Sequence, residues 1–163
     1  DKDGKKIVEK HQSTAGRFLL AETLPKHQKI SFSLVNKLLN KKAVSEIFLK
    51  KTQVCTNDSV FDVILEITKS RLGATVVTEQ ERVVGIITDG DLRRTFQSNK
   101  KFEEMSAKDI MTRNPITIAE SLNVKESLEI MNEKKIMHLV VIRDSNYLGL
   151  LHMHDLIDLG KND

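Results

Sequence analysis

The sequence predicts an α/β (α+β) protein. Two copies of a helix–strand–strand–helix unit pack about a pseudo-twofold axis, behind an N-terminal helical extension. Three observations carry that expectation. The string Gly85-Ile86-Ile87-Thr88-Asp89-Gly90-Asp91-Leu92 reads as a strand, a polar turn and a helix start. Gly149-Leu150-Leu151-His152-Met153-His154-Asp155-Leu156 repeats its layout 64 residues later. The apolar strand runs at 74–78 and 83–88 recur at 138–142 and 147–152. They are apolar at nearly every position, so both faces need cover.

Residues 1–42 form the extension or a linker. A helix is expected over 5–24, with Ile7, Ala15, Phe18, Leu19 and Leu20 as apolar positions and Pro25 as its stop. A shorter helix after Ser31 or Ser33 would use Leu34, Val35, Leu38 and Leu39. Two readings stay open: this segment packs on the later domain, or it leads from a missing one.

The first repeat is assigned to 43–105. Val44-Ser45-Glu46-Ile47 is a short helical turn and Gln53-Val54-Cys55-Thr56 a short extended piece. Ser59 with Asp62 three residues on forms a capping box for a helix from Val60 to about Lys69. Its apolar face is Val60, Ile64 and Ile67, with Phe61 and Leu65 beside it. Gly73 breaks the helix, and Glu79-Gln80-Glu81-Arg82 turns between two strands that a hairpin would make antiparallel. A helix is expected from Gly90 or Asp91 toward Phe96.

The second repeat is assigned to 106–163. Ala107-Lys108-Asp109-Ile110-Met111 matches the opening turn, and Glu120-Ser121-Leu122 is aligned with Asp58-Ser59-Val60. The next helix carries Val124, Leu128 and Met131 on one face. Asp144-Ser145-Asn146 joins the two strands, the last helix starts at Asp155, and Gly160 is its stop. A unit this small buries too little surface alone. Pairing of the two leaves a groove where the matching turns face each other.

Composition narrows the function. The 163 residues carry a net charge of +3 with 30% charged residues, too small a basic excess to argue for nucleic acid. With no tryptophan and one tyrosine, stacking platforms for single strands are lacking. No apolar run approaches the roughly 20 residues that cross a bilayer, so no membrane partner is expected. Cys55 is the one cysteine, which excludes an internal disulfide and reads as a small strand residue. The chain starts at Asp1 rather than Met and shows no signal peptide. A piece of a longer cytoplasmic protein is therefore expected.

The turns suit a ligand. A strand that runs through a small polar residue into a helix offers free N–H donors and a dipole that favours anions. Thr88 can offer a hydroxyl to a phosphate, and Asp91 and Asp155 can accept from a sugar diol. Helix capping by the same aspartates stays open beside that reading. Arg93 and Arg94 lie in the first helical turn, where cations cost roughly 0.3–1 kcal/mol each unless an anion or a nearby carboxylate offsets them. His152 takes the place of Thr88 in the second repeat and would point a hydrogen-bonding group into the groove. His152 and His154 also invite a metal reading, but His138 is distant in sequence and no third ligand is evident. No phosphate loop, nucleophile elbow or activated cysteine is present. A binding module without a required cofactor is expected, not an enzyme.

The repeated unit resembles the cystathionine-β-synthase (CBS) domain, and residues 43–160 resemble a tandem CBS pair, or Bateman module. The resemblance rests on residues 85–91 and their repeat, with Asp109-Ile110-Met111-Thr112-Arg113-Asn114-Pro115 between them. It implies a cleft for an adenosyl or other nucleotide ligand, regulation of an attached enzyme or transporter, and a homodimer. Residues 87–94 with 151–156 look like the C-terminal CBS pair of bacterial D-arabinose-5-phosphate isomerases, enzymes of Kdo and lipopolysaccharide synthesis. That narrower likeness implies a nucleotide-sugar effector such as CMP-Kdo and a catalytic domain outside this chain. The Thr-Asp-Gly-Asp-Leu-Arg-Arg string also resembles CBS pairs attached to sugar-phosphate nucleotidyltransferases.

Overall fold

The computed structural model describes residues 41–47, 49–97 and 101–159. The helices expected within 1–40 and the stop at Gly160 lie outside the described residues. A 3-10 turn at Val44–Glu46 leads to β1 (Gln53–Cys55), α1 (Val60–Ser70), β2 (Ala74–Glu79), β3 (Arg82–Thr88) and α2 (Asp89–Gln97). After a second 3-10 turn at Phe102–Glu104 come α3 (Ala107–Ile110), β4 (Thr112–Arg113) and β5 (Thr117–Ala119). Then follow α4 (Val124–Lys134), β6 (His138–Arg143), β7 (Asn146–His152) and α5 (Met153–Leu159).

Local chemistry explains most boundaries. Ser59 accepts from the Asp62 N–H at 3.1 Å while Asp62 accepts from the Ser59 N–H at 3.2 Å, the expected capping box. In the second repeat the cap is Asn123, closed by Glu126. That corrects the alignment with residues 120–122: the 64-residue offset holds here too, pairing Asn123 with Ser59. Both hairpins turn through two left-handed residues, Gln80 and Glu81 in one and Asp144 and Ser145 in the other. This geometry suits the twist of the flanking strands. Each hairpin is antiparallel with a register shift at the same place, Val77/Thr78 and Val141/Ile142. β1 and β5 pair in parallel with β2 and β6, and β4 joins the edge of β3, giving sheets ordered β1-β2-β3-β4 and β5-β6-β7.

The two repeats are locked by an exchange. Val44 opens the first repeat but is fully buried among Val124, Leu128, Met131 and Leu151 of the second. Ala107 and Ile110 open the second but pack with Val60, Val63 and Ile87 of the first. Backbone bonds fix both crossings: Val44 N–H to Leu122 C=O at 2.9 Å and Ala107 N–H to Asp58 C=O at 2.9 Å. A third apolar cluster, with Leu72, Val76, Val140, Tyr147 and Leu150, joins the sheets. Gly85 and Gly149 permit the close approach. A Cβ on Gly149 would lie 2.8 Å from Leu49 Cβ and 3.0 Å from the Lys50 carbonyl oxygen, and one on Gly85 would meet Met111.

The buried face of α1 is Val60, Val63 and Ile67, with Ile64 half-buried. Phe61 and Leu65 are 55% and 67% exposed. Periodicity alone could not separate the core stripe from a second apolar stripe on this helix.

Candidate functional site

The end of β3 and the start of α2 are held by a polar network. Thr88, not an aspartate, is the cap, and α2 starts at Asp89, one or two residues before the expected start. Asp91 occupies the third helical position and reaches back. Its Oδ2 accepts from the Thr88 N–H at 2.8 Å and the Thr88 hydroxyl at 2.7 Å, while Thr88 Oγ1 accepts from the Asp91 N–H at 3.3 Å. Its Oδ1 accepts from Arg94 Nη2 and from the Thr112 hydroxyl at 3.3 Å. Asp91 is 7% exposed and its carboxylate is shared among four donors. Because α2 starts at Asp89, Arg93 and Arg94 lie beyond its first turn and Arg94 falls in the last one. The penalty expected for cations at the helix start therefore does not arise, and Arg94 pairs with Asp91 instead. Arg93 makes no ion pair among the described residues.

A cavity of about 670 Å³ opens at this network. Thr88, Asp91, Arg93 and His152, four of the five expected site residues, line it. Asp155 does not line it, although its charge acts on His138 and His152 at the same junction. The two matching turns therefore do face one crevice, through Thr88 and His152. The remaining wall combines the connection Asn114-Pro115-Ile116 with the end of α4, Lys135 to Met137, and the start of β6 at His138. Lys135 sits there because it ends α4 in the left-handed conformation, φ 56°. Leu72, Ile86, Pro115, Ile116, Ile136 and Met137 make apolar walls, against three cations, Arg93, Arg94 and Lys135, and two carboxylates, Asp89 and Asp91. Such a site suits a ligand with an apolar face and an anionic group.

Sequence distance concealed His138. Antiparallel pairing sets it directly opposite His152, with ring centroids 4.7 Å apart, and His154 stacks beyond His152 at 5.1 Å. His138 Nε2–H donates to the Leu72 carbonyl at 2.8 Å, a bond that crosses from the second repeat to the first. Burial holds the His138 imidazole below the ordinary histidine range despite that bond and the carboxylates of Asp89 and Asp155. His152 is held down by burial and by its histidine neighbours. Among the described residues no group of three histidine, cysteine or carboxylate side chains could hold a metal ion. The sequence does not single out Lys135 or Ile116, and it marks Thr112, Asn114 and Pro115 as part of a motif but not as site residues; Lys135 has no signal beyond its place between a helix and a strand. No helix among the described residues is long and apolar enough to cross a membrane.

Known proteins share this architecture. The family model described as CBS domain matches residues 44–98 and 107–162. The arabinose 5-phosphate isomerase KdsD of Escherichia coli K12 is 37% identical over 103 residues, 63% of this chain and 31% of that enzyme. This chain therefore spans about a third of that relative's length. The crystal structure of the CBS domain NE2398 superposes with a TM-score of 0.69 at 26% identity, covering 74% of this chain and 98% of that one. The CBS domain protein PAE2072 of Pyrobaculum aerophilum, solved as a complex with AMP, has a TM-score of 0.64 at 24% identity, covering 70% of this chain and 89% of its own. With two matched repeats that close on one another around a shared crevice, the chain belongs to the CBS-domain family, as a tandem pair.

Proposed function

We propose that the crevice is an effector site for a nucleotide or nucleotide sugar, CMP-Kdo being the leading candidate. Through it the pair controls an attached sugar-phosphate enzyme, an arabinose-5-phosphate isomerase of cytoplasmic Kdo and lipopolysaccharide synthesis. The observation that carries this reading is the cavity itself. It is lined from both repeats, with apolar walls for a base and the unpaired cations Arg93 and Lys135 for an anionic group. The likeness to KdsD supports the parent enzyme, and the AMP complex of PAE2072 supports the ligand class. No catalytic step is assigned to this chain. Calorimetric titration with CMP-Kdo, AMP, ATP and S-adenosylmethionine tests the site. Binding that weakens at least about tenfold in Arg93→Ala is expected, a loss on the order of 1.4 kcal/mol. No heat from any of the four on folded protein overturns the reading.

An assembly role has its own support. Phe61 and Phe102 pack edge-on at 6.0 Å, and Phe96 stacks on Phe102 at 4.1 Å, yet Phe61, Leu65 and Phe96 stay exposed. The second repeat places Lys125 and Glu129, an ion pair 3.8 Å apart, where the first has Phe61 and Leu65. An apolar face confined to one repeat suits a second copy of the chain. Sedimentation of wild type against a Phe61→Lys, Leu65→Glu variant tests it. A dimer that becomes a monomer is expected, and an unchanged mass removes the interface from this face.

A further inference from the structure

We infer that His138 is the proton acceptor of the crevice, so that an anionic ligand binds together with one proton taken up at His138 Nδ1. This rests on the effector-site reading and adds its coupling to pH.

The geometry divides the two cavity-lining imidazoles by role. His152 Nδ1 accepts the His154 N–H at 3.2 Å, so its own proton sits on Nε2. Protonating Nδ1 would cost that bond, which leaves His152 a neutral donor. His138 is the reverse case. Its Nε2–H is committed to the Leu72 carbonyl, and its Nδ1 accepts no hydrogen bond among the described residues. A proton can therefore enter at Nδ1 while the bond to Leu72 is kept. Two imidazolium rings 4.7 Å apart repel, so uptake stops at one proton.

The charges that face the pair set the direction. Asp89, from the start of α2, and Asp155, from α5, favour the imidazolium. Lys50, from the strand-like segment before β1, and His154 oppose it at His152. Arg93 and Arg94 of α2 and Lys135 at the end of α4 line the same cavity. Burial outweighs the carboxylates in the free protein and holds the ring below its ordinary range. An anion seated among Arg93, Lys135 and the imidazoles adds its negative charge to those of Asp89 and Asp155, and His138 then gains its proton. Uptake is one proton per ligand at most, and affinity rises by up to about tenfold per pH unit as pH falls.

The test uses CMP-Kdo as probe, because its phosphodiester and carboxylate stay ionised between about pH 6 and pH 8. Titration heats are measured in buffers of small and large ionisation enthalpy, for wild type and His138→Gln. Glutamine keeps an N–H donor for the Leu72 carbonyl but cannot take a proton. Buffer-dependent heat, affinity that grows severalfold from about pH 8 to pH 6, and loss of both effects in His138→Gln are expected. Should that variant fail to fold, the imidazole resonances of His138 in the wild type are followed by NMR during titration; they move toward the imidazolium position. Binding with buffer-independent heat, or resonances that stay at the neutral position, overturns the proton uptake and leaves the effector site standing. AMP is titrated alongside at about pH 7.5, above its second phosphate pKa of about 6. No binding of either probe, of ATP or of S-adenosylmethionine to folded protein overturns the site and the uptake together.

Discussion

Replacing Asp91 with alanine and Asp155 with alanine should give opposite results, although both occupy the same place in the repeat. Asp91 is the carboxylate half of the capping box whose cap is Thr88, and losing that half costs on the order of 1 kcal/mol. Truncation also leaves the Thr88 N–H and hydroxyl in a half-buried turn without their acceptor, a loss of about 1–3 kcal/mol. The Arg94 contribution is small, because its side chain is 69% exposed and water screens it. These losses share one network and do not add, so about 2–3 kcal/mol is expected in total. With a urea slope of about 1–3 kcal/mol/M for a chain of this size, the midpoint should fall by roughly 1 M. Asp155 is half-buried and accepts no hydrogen bond among the described residues, so Asp155→Ala should stay within about 0.5 kcal/mol. Equal midpoints for the two variants would falsify the view that Asp91 is first a structural carboxylate. The same result decides how binding data are read: lost affinity in Asp91→Ala reports a broken turn as much as a missing contact, whereas exposed Arg93 tests the ligand directly.

Three further outcomes follow from packing and charge. Gly149→Ala places a methyl against the Leu49 side chain and the Lys50 carbonyl and should cost about 1–3 kcal/mol by overpacking; Gly85→Ala meets the flexible Met111 and should cost less in the same denaturation assay. Val44→Ala should cost about 2 kcal/mol or more, from two buried methyl groups at about 0.8 kcal/mol each plus a cavity; a midpoint unchanged within error would mean the exchange of opening turns is not a core contact. Burial holds the His138 and His152 imidazoles of the folded chain below the ordinary histidine range. Their contribution to stability is complete above about pH 6.5 and is lost as pH falls below it, because the unfolded chain then binds more protons. The urea midpoint should therefore drop between about pH 7.5 and pH 5, and by less in His138→Gln.

What could be read from the chain was local or repeated. Capping boxes, hairpin turns and β-branched strands depend on neighbours within a few residues, so Ser59 with Asp62 and the strands flanking Gln80 and Glu81 followed directly. The 64-residue repeat then implied a pair and a crevice between Thr88 and His152. Tertiary structure alone decided the rest. Val44 and Ala107 have no local signal that sends each into the opposite repeat's core. His138 meets His152 only through strand register. Phe61 and Leu65 were indistinguishable from core residues until α1 had chosen which stripe to bury. Asp91 and Asp155 share a sequence position but not a role, because Thr88 supplies a hydroxyl cap and Thr112 a crossing donor that the second repeat does not place beside Asp155. Short-range hydrogen bonding is written in adjacent letters; burial and charge are set by whatever the folded chain brings alongside.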